Sequence, residues 1–250
     1  IGDVVSVWSR LRFIYRGWKA RYRDQRCEIA ALLRKLAPSD TAVDVGANKG
    51  SYLRWLSRAV YAGRVVAFEP QIRLAEYLRK ACAACGLANV TVNAAAVSEA
   101  NGEKPLFIPA KEDSPGASLE KTVETREPCR SVQVPVVSLD QYFENEAGRI
   151  GAIKIDVEGH ELAVLRGAQR ILREHAPLLV FECESRHLAG GNVATVLNFV
   201  REKGYDGWFV CGGRLRPISE FREDVHQRRT GDRYWDSPDY CNNFIMEKKT

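Results

Sequence analysis

The apolar positions of this chain change period several times, and each change marks an element. Val4, Trp8, Leu11, Tyr15, Trp18 and Tyr22 recur at steps of four and three, so residues 4–26 read as an amphipathic helix with Arg12, Arg16, Lys19 and Arg23 off the apolar stripe. Gly17 weakens that helix. A second helix, Cys27 to Leu36, stops where Pro38 and Ser39 break the pattern, which divides the chain into an arm, 1–38, and a domain, 39–250.

Beyond that boundary short apolar runs alternate with longer amphipathic ones. "TAVDVG", "GRVVAFEP" and "NVTVNAAAVS" predict strands, with "SYLRWLSRAV" and "IRLAEYLRKACAACG" as helices between them. The same rhythm returns with strand "IGAIKID", helix "ELAVLRGAQRILREH", strand "PLLVFEC", helix "NVATVLNFVREKG", strand "GWFVC" and a last apolar run, "NNFIME". Strands separated by helices imply right-handed parallel crossovers and hence an α/β sheet. Residues 103–137 depart from the rhythm: "EKPLFIP" and "RSVQVPVVSL" alternate around a polar loop, as an inserted hairpin or active-site flap would.

Composition changes this picture in two places. With 45% hydrophobic and 28% charged residues, the 250-residue chain fits one globular domain with an appendage. No apolar stretch approaches the roughly 18 residues needed to cross a bilayer, and the start at Ile1 leaves open what precedes it. The net charge of +5 lies in residues 1–40, which hold nine Lys/Arg against four Asp/Glu, while the remainder is neutral. Attraction to a polyanion or lipid is therefore confined to the arm, and no nucleic-acid partner is expected for the domain. The seven scattered cysteines, an odd number, suggest a reducing compartment and a cytoplasmic location. Cys82 and Cys85 form a CxxC without a second pair, and read as small apolar helix positions rather than a zinc or redox site.

The turn after the first strand carries Asp44, Gly46, Asn48 and Gly50. In an open α/β sheet ligands bind at the carboxyl ends of strands, and glycine lets the backbone approach them. The spacing D-x-G-x-x-x-G lacks the middle glycine of the dinucleotide fingerprint, and Asp44 would repel a diphosphate but suit an ammonium or sulfonium group. Glu69, closing the second strand, can accept hydrogen bonds from both hydroxyls of a ribose. The pair points to an adenosine-bearing ligand without a diphosphate, a description that S-adenosylmethionine fits. A nicotinamide-dependent oxidoreductase and a non-catalytic cofactor-binding module stand as alternatives.

"DVGANKG", "AFEP", "KIDVEGHELAVLRGA" and "LVFECE", in that order over about residues 40–247, resemble the FkbM family of S-adenosylmethionine-dependent methyltransferases. The resemblance implies a Rossmann-like class I fold: a seven-stranded, mostly parallel sheet with helices on both faces and the last strand antiparallel. It also implies methylation of a hydroxyl on a sugar or small molecule. By the same resemblance Asp44, Gly46, Asn48 and Gly50 hold the methionine portion of the cofactor, Glu69 the ribose, and Ala96, Val97 and Ser98 the adenine, whereas Pro70 reads as a strand terminator. The arm lies outside the family core, and the loop from 109 to 130 keeps only "GASL" of the family's serine-rich stretch.

The block "KIDVEGHE" places Asp156 at a strand end, beside cofactor and acceptor alike, where a base for the hydroxyl proton is needed. Glu158 and His160 in the following turn are further catalytic candidates, with helix capping as their other role. Lys154 could pair with Asp156 or Glu182. Asp156, Glu158 and Glu182 could hold a cation, but their spacing assigns none and no metal is expected. The chain has no Pro-Pro motif of base-amine methylation, and Pro128-Cys129 lies outside the strand a cytosine enzyme would use. The arm's aromatic stripe must be covered by something: the catalytic domain or a second subunit is the first expectation, an anionic membrane surface at residues 1–26 the second.

Overall fold

The computed structural model describes residues 7–109, 116–121, 128–188, 191–231 and 233–249, so Val4 of the predicted stripe and most of the polar loop after residue 109 lie outside the described residues. The arm is α1 (Val7–Lys19), a π-helical turn (Ala20–Asp24) and α2 (Arg26–Lys35). The domain begins with β1 (Thr41–Val45), α3 (Leu53–Ala59), β2 (Arg64–Phe68), α4 (Ile72–Ala84) and β3 (Val90–Asn93). Next come β4 (Ala96–Val97), β5 (Gly102–Pro109), β6 (Cys129–Val137) and the short α5 (Leu139–Tyr142). The chain continues through β7 (Ile150–Ile155), α6 (Glu161–Arg166), α7 (Gln169–Glu174), β8 (Leu178–Glu182), α8 (Val193–Glu202), β9 (Tyr205–Cys211), β10 (Arg214–Pro217), α9 (Glu223–His226) and β11 (Asn243–Lys248).

The main sheet has the order β10-β9-β11-β8-β7-β1-β2-β3. Its centre is parallel, β2-β1-β7-β8, and β11 runs antiparallel to both β8 and β9. The central strands read as unbroken apolar runs because helices cover both faces; every residue of β1 and β7 is buried. The sheet has eight strands, not the expected seven. The extra one, β10, turns back antiparallel on β9 at the sheet edge, and its sequence "RLRP" is exposed throughout, so it carries no apolar signature to read.

Two expected elements are divided. "NVTVNAAAVS" gives β3 in the main sheet and β4 in a second, three-stranded sheet, β4-β6-β5, built on the expected hairpin. The helix expected at 161–175 becomes α6 and α7, because the Asp140 carboxylate accepts the backbone N–H of Arg170 at 2.8 Å and of Ile171 at 3.0 Å and so caps a fresh helix start.

The arm does dock, but by the other face. Phe13, Gly17 and Ala20 are buried, the Trp55 indole donates to the Gly17 carbonyl at 2.7 Å, and Arg16 donates to the Tyr77 hydroxyl at 3.1 Å. The stripe stays outside: Trp8 is 73% exposed, Tyr15 64% and Trp18 50%. The expected cover by the domain is only partial: Trp18 and Tyr22 meet Trp55 edge-on, while the burial itself falls on Phe13, Gly17 and Ala20 of the opposite face. Downstream, α2 buries Ile29, Ala31 and Leu32 in the same apolar cluster as Ala42, Val65 and Ile245 of the sheet.

Cys82 and Cys85 are free thiols, the first in the last turn of α4 and the second the residue that caps its end. Cys211 and Cys241, by contrast, form a disulfide, so the expectation of reduced cysteines throughout does not hold for this pair. Among the described residues no helix is long and apolar enough to cross a membrane.

Candidate functional site

At the carboxyl end of β1 the backbone turns through Gly46 at φ 76°, Asn48 at φ 46° and Gly50 at φ 78°, conformations that favour glycine and asparagine. The two glycines serve different neighbours. A Cβ on Gly46 would lie 1.8 Å from the Asp156 carbonyl oxygen, so glycine there lets the turn cross the end of β7. A Cβ on Gly50 would strike Phe13 of the arm at 2.6 Å and Leu78 at 2.8 Å; this glycine serves packing.

The turn, β2, β4 and β7 together border a cleft of about 650 Å³. Gly46, Asn48, Glu69, Ala96, Val97, Asp156, Glu158 and His160 all line it, so eight sequence-selected positions converge. Asp44, Gly50 and Ser98 do not line it. Pro70, read as a strand terminator, does, together with Gln71, Ala95 and, from the hairpin insertion, Leu106, Ser118 and Leu119. The sequence placed a hairpin or active-site flap at 103–137 but singled out none of its residues, because its reach over the cleft depends on β4 leaving the main sheet. A second cleft, about 810 Å³, lies between the arm and the same turn and shares Gly46, Asn48 and Asp156 with the first.

Glu69 is buried, and its two oxygens accept the backbone N–H groups of Asn48 at 2.8 Å and Gln71 at 2.9 Å. A carboxylate offers about four acceptor sites, so those bonds fix its orientation and leave acceptor capacity for a ligand in the cleft. Burial raises its pKa to about 7 against the opposing effect of those amides. Asp44, fully buried, meets Lys154 Nζ at 3.3 Å, and neither of its oxygens has a hydrogen bond. Its pKa is raised by burial, with Lys154 pulling the other way. Lys154 also reaches Asp156 at 3.5 Å and donates to the Gly46 carbonyl at 3.1 Å. Burial opposes its charge, but Asp44 and Asp156 hold its pKa above the ordinary lysine value. Lys154 thus joins β1, β7 and the turn, and Asp156, a third exposed, is the charged member of this group that faces both clefts.

The other two catalytic candidates are tied elsewhere. His160 sits between Ser98 Oγ at 2.9 Å and Glu120 at 2.6 Å, one ring nitrogen to each, and Lys104 donates to Ser98 at 3.1 Å. This chain clamps the hairpin insertion to the main sheet. Glu158, with φ 54°, pairs with His187 Nδ1 at 2.6 Å. Glu161 accepts the Gly159 N–H at 2.9 Å, and burial raises its pKa to about 8. Burial likewise holds Glu182 well above the ordinary value, with the charges of Asp156 and Glu158 adding to it, while Asn242 donates to it at 2.8 Å. Glu184 beside it is held down to about 2, for although burial opposes this, Arg186 and Glu182 donate to it. Among the described residues no group of three or more His, Cys, Asp or Glu is arranged to hold a metal ion.

These buried carboxyls give a stability prediction. Glu28 and Glu69, each raised by burial to about 7, and Glu161, raised to about 8, bind protons in the folded state that the unfolded chain releases near its ordinary 4.5. Their contribution is complete below about pH 4.5 and is lost as pH rises through 7 to 8. Glu184 acts oppositely, but its contribution is constant across that window. The ligand-free protein should therefore melt at a lower temperature at about pH 8.5 than at about pH 5.5. A Tm that rises over this interval in a thermal scan would contradict the assignment.

The model for the methyltransferase FkbM domain matches residues 44–206. No curated protein sequence matches the chain. Among solved structures, a methyltransferase FkbM from Methylobacillus flagellatus aligns over 98% of this chain at 16% identity with a TM-score of 0.52; this chain spans only 56% of that protein's length. A Streptococcus mutans protein described as a methyltransferase, in complex with SAH, aligns over 90% of this chain and 97% of its own at 14% identity with a TM-score of 0.50. At these identities the structures establish the fold, while the family match runs from Asp44 into the start of β9 and takes in the whole cleft lining. The chain belongs to the FkbM family of S-adenosylmethionine-dependent methyltransferases.

Proposed function

We propose that this protein transfers a methyl group from S-adenosylmethionine to a hydroxyl of a small molecule or carbohydrate, with Asp156 as the base. The observation that carries the reading is the convergence of Glu69 and Asp156 on one cleft at the carboxyl ends of β2 and β7. The residues present fit the cofactor: Glu69 lines the cleft and retains acceptor capacity for ribose hydroxyls, and Gly46 presents backbone to it where a side chain could not stand, with the buried Asp44–Lys154 pair behind the turn. Bound there, S-adenosylmethionine supplies an electrophilic methyl on a sulfonium centre.

In this reading Asp44 and Lys154 set the charge around the methionine portion, with Gly46 and Asn48 shaping the turn that carries it. Ala96 and Val97, with Leu106 and Leu119 of the hairpin, provide the apolar wall for the adenine. Ser98 supports that wall through His160 rather than by contact. Gly50 positions the turn against Phe13. Asp156 accepts the acceptor's hydroxyl proton as the oxygen aligns for displacement, and Lys154 keeps the carboxylate oriented. The hairpin over the cleft restricts water and selects the acceptor. Electrical neutrality of residues 41–250 favours a small neutral acceptor over a nucleic acid.

The test is a panel of hydroxylated small molecules and sugars, read as S-adenosylhomocysteine formation with the methylated product located by mass spectrometry. Turnover that yields an O-methyl product is expected. Transfer only to nitrogen or carbon, or tight cofactor retention without turnover on any acceptor, would overturn the reading.

A further inference from the structure

The domain leaves most of the arm's outward face open, although the rings of Trp18 and Tyr22 meet Trp55 edge-on at centroid distances of 6.2 and 6.0 Å. Val7, Trp8, Leu11, Tyr15, Trp18 and Tyr22 are each at least half exposed and form one continuous stripe, so the helix presents more apolar surface than scattered exposed residues account for. At about 100° per residue this stripe lies opposite the buried Phe13, Gly17 and Ala20. Arg12, Lys19 and Arg23 follow one edge of it and Arg10 and Arg21 the other. Helix α1 itself carries no acidic residue, and Asp24, at the end of the π-turn, pairs with Lys19 at 3.1 Å and Arg23 at 2.8 Å. Tryptophan and tyrosine between two rows of Arg and Lys is the arrangement of a helix lying in a headgroup layer, apolar side down and cations level with phosphates.

We propose that residues 7–23 seat this protein on an anionic lipid surface. Charge decides this occupant over a second copy of the chain. Two such helices packed stripe to stripe would bring Arg10, Arg12 and Arg21 against their own kind, whereas anionic headgroups complement both edges at once. Docking needs no rearrangement, because Phe13, Gly17 and the Trp55 bond already hold the helix with its stripe outward.

The full chain is tested by co-sedimentation with vesicles of phosphatidylcholine containing phosphatidylglycerol, against phosphatidylcholine alone. Binding to the anionic vesicles, a blue shift of tryptophan emission and release at about 0.5 M salt are expected. Trp8→Ser with Leu11→Ser should weaken binding about tenfold or more, as should Arg10→Gln with Arg12→Gln, while Tm and S-adenosylmethionine binding stay at wild-type values. Absence of binding, equal binding to neutral vesicles, or binding unchanged in both variants would overturn the proposal. So would a dimer that forms without lipid and is lost in Trp8→Ser with Leu11→Ser, which would assign the stripe to a contact between copies. Should a variant fail to fold, the wild-type emission shift and its salt reversal decide the question alone.

Discussion

Asp156→Asn is expected to lower turnover by the order of 10²-fold or more, with the protein still folded and S-adenosylmethionine still bound. The substitution is nearly isosteric, and an amide oxygen can still meet Lys154 Nζ, now 3.5 Å from the carboxylate, so the link between β1, β7 and the turn survives. What is lost is the ability to take a proton. Glu158 and His160 are poor substitutes as they stand, the first paired with His187 at 2.6 Å and the second engaged at both ring nitrogens by Ser98 and Glu120. Single-turnover S-adenosylhomocysteine formation at saturating acceptor measures the loss. Near wild-type rates would remove Asp156 from the chemistry and direct attention to Glu158, freed by a shift of His187.

The parts of this molecule legible in its sequence are those governed by local period. The buried strands of the parallel centre read as apolar runs, and the break of rhythm at 103–137 marked the hairpin. Glu69 and Asp156 were placed at strand ends by position alone. What escaped depends on contacts across the chain. Helix capping by Asp140, thirty residues before the N–H groups it accepts, divides a helix whose periodicity gives no hint of it. Strand β10 owes its place to pairing with β9, against its own composition. The same holds within the cleft: Ser98 looked like an adenine contact but is turned to His160, and Gly50 looked like a ligand glycine but makes room for Phe13. From Trp8 to Tyr22 the arm's periodicity marked one face, yet hydrophobicity alone could not say that Phe13, Gly17 and Ala20 on the opposite face would be the ones buried.

Glu69→Ala should weaken S-adenosylmethionine binding from the micromolar range by about ten- to a hundredfold, the cost of leaving ribose hydroxyls and two backbone amides unpaired, about 1–3 kcal/mol. Both amides, of Asn48 and Gln71, lose their acceptor in the same change, so the turn and the start of α4 loosen together. A pH series separates the ribose contact from that loosening. Burial holds the Glu69 pKa at about 7 in the ligand-free protein, so part of the population is protonated at neutral pH. Hydroxyl donors favour the ionised form, and binding must therefore release that proton: affinity should fall as pH drops below about 7, towards tenfold per unit, and level off above it. In Glu69→Ala this dependence should flatten across pH 6 to 8.5, whereas mere loosening of the turn would lower affinity and leave the slope. Calorimetry in two buffers of different ionisation enthalpy reads both the affinity and the proton released. An unchanged dissociation constant in Glu69→Ala, or a wild-type affinity indifferent to pH, would take Glu69 out of the ribose site.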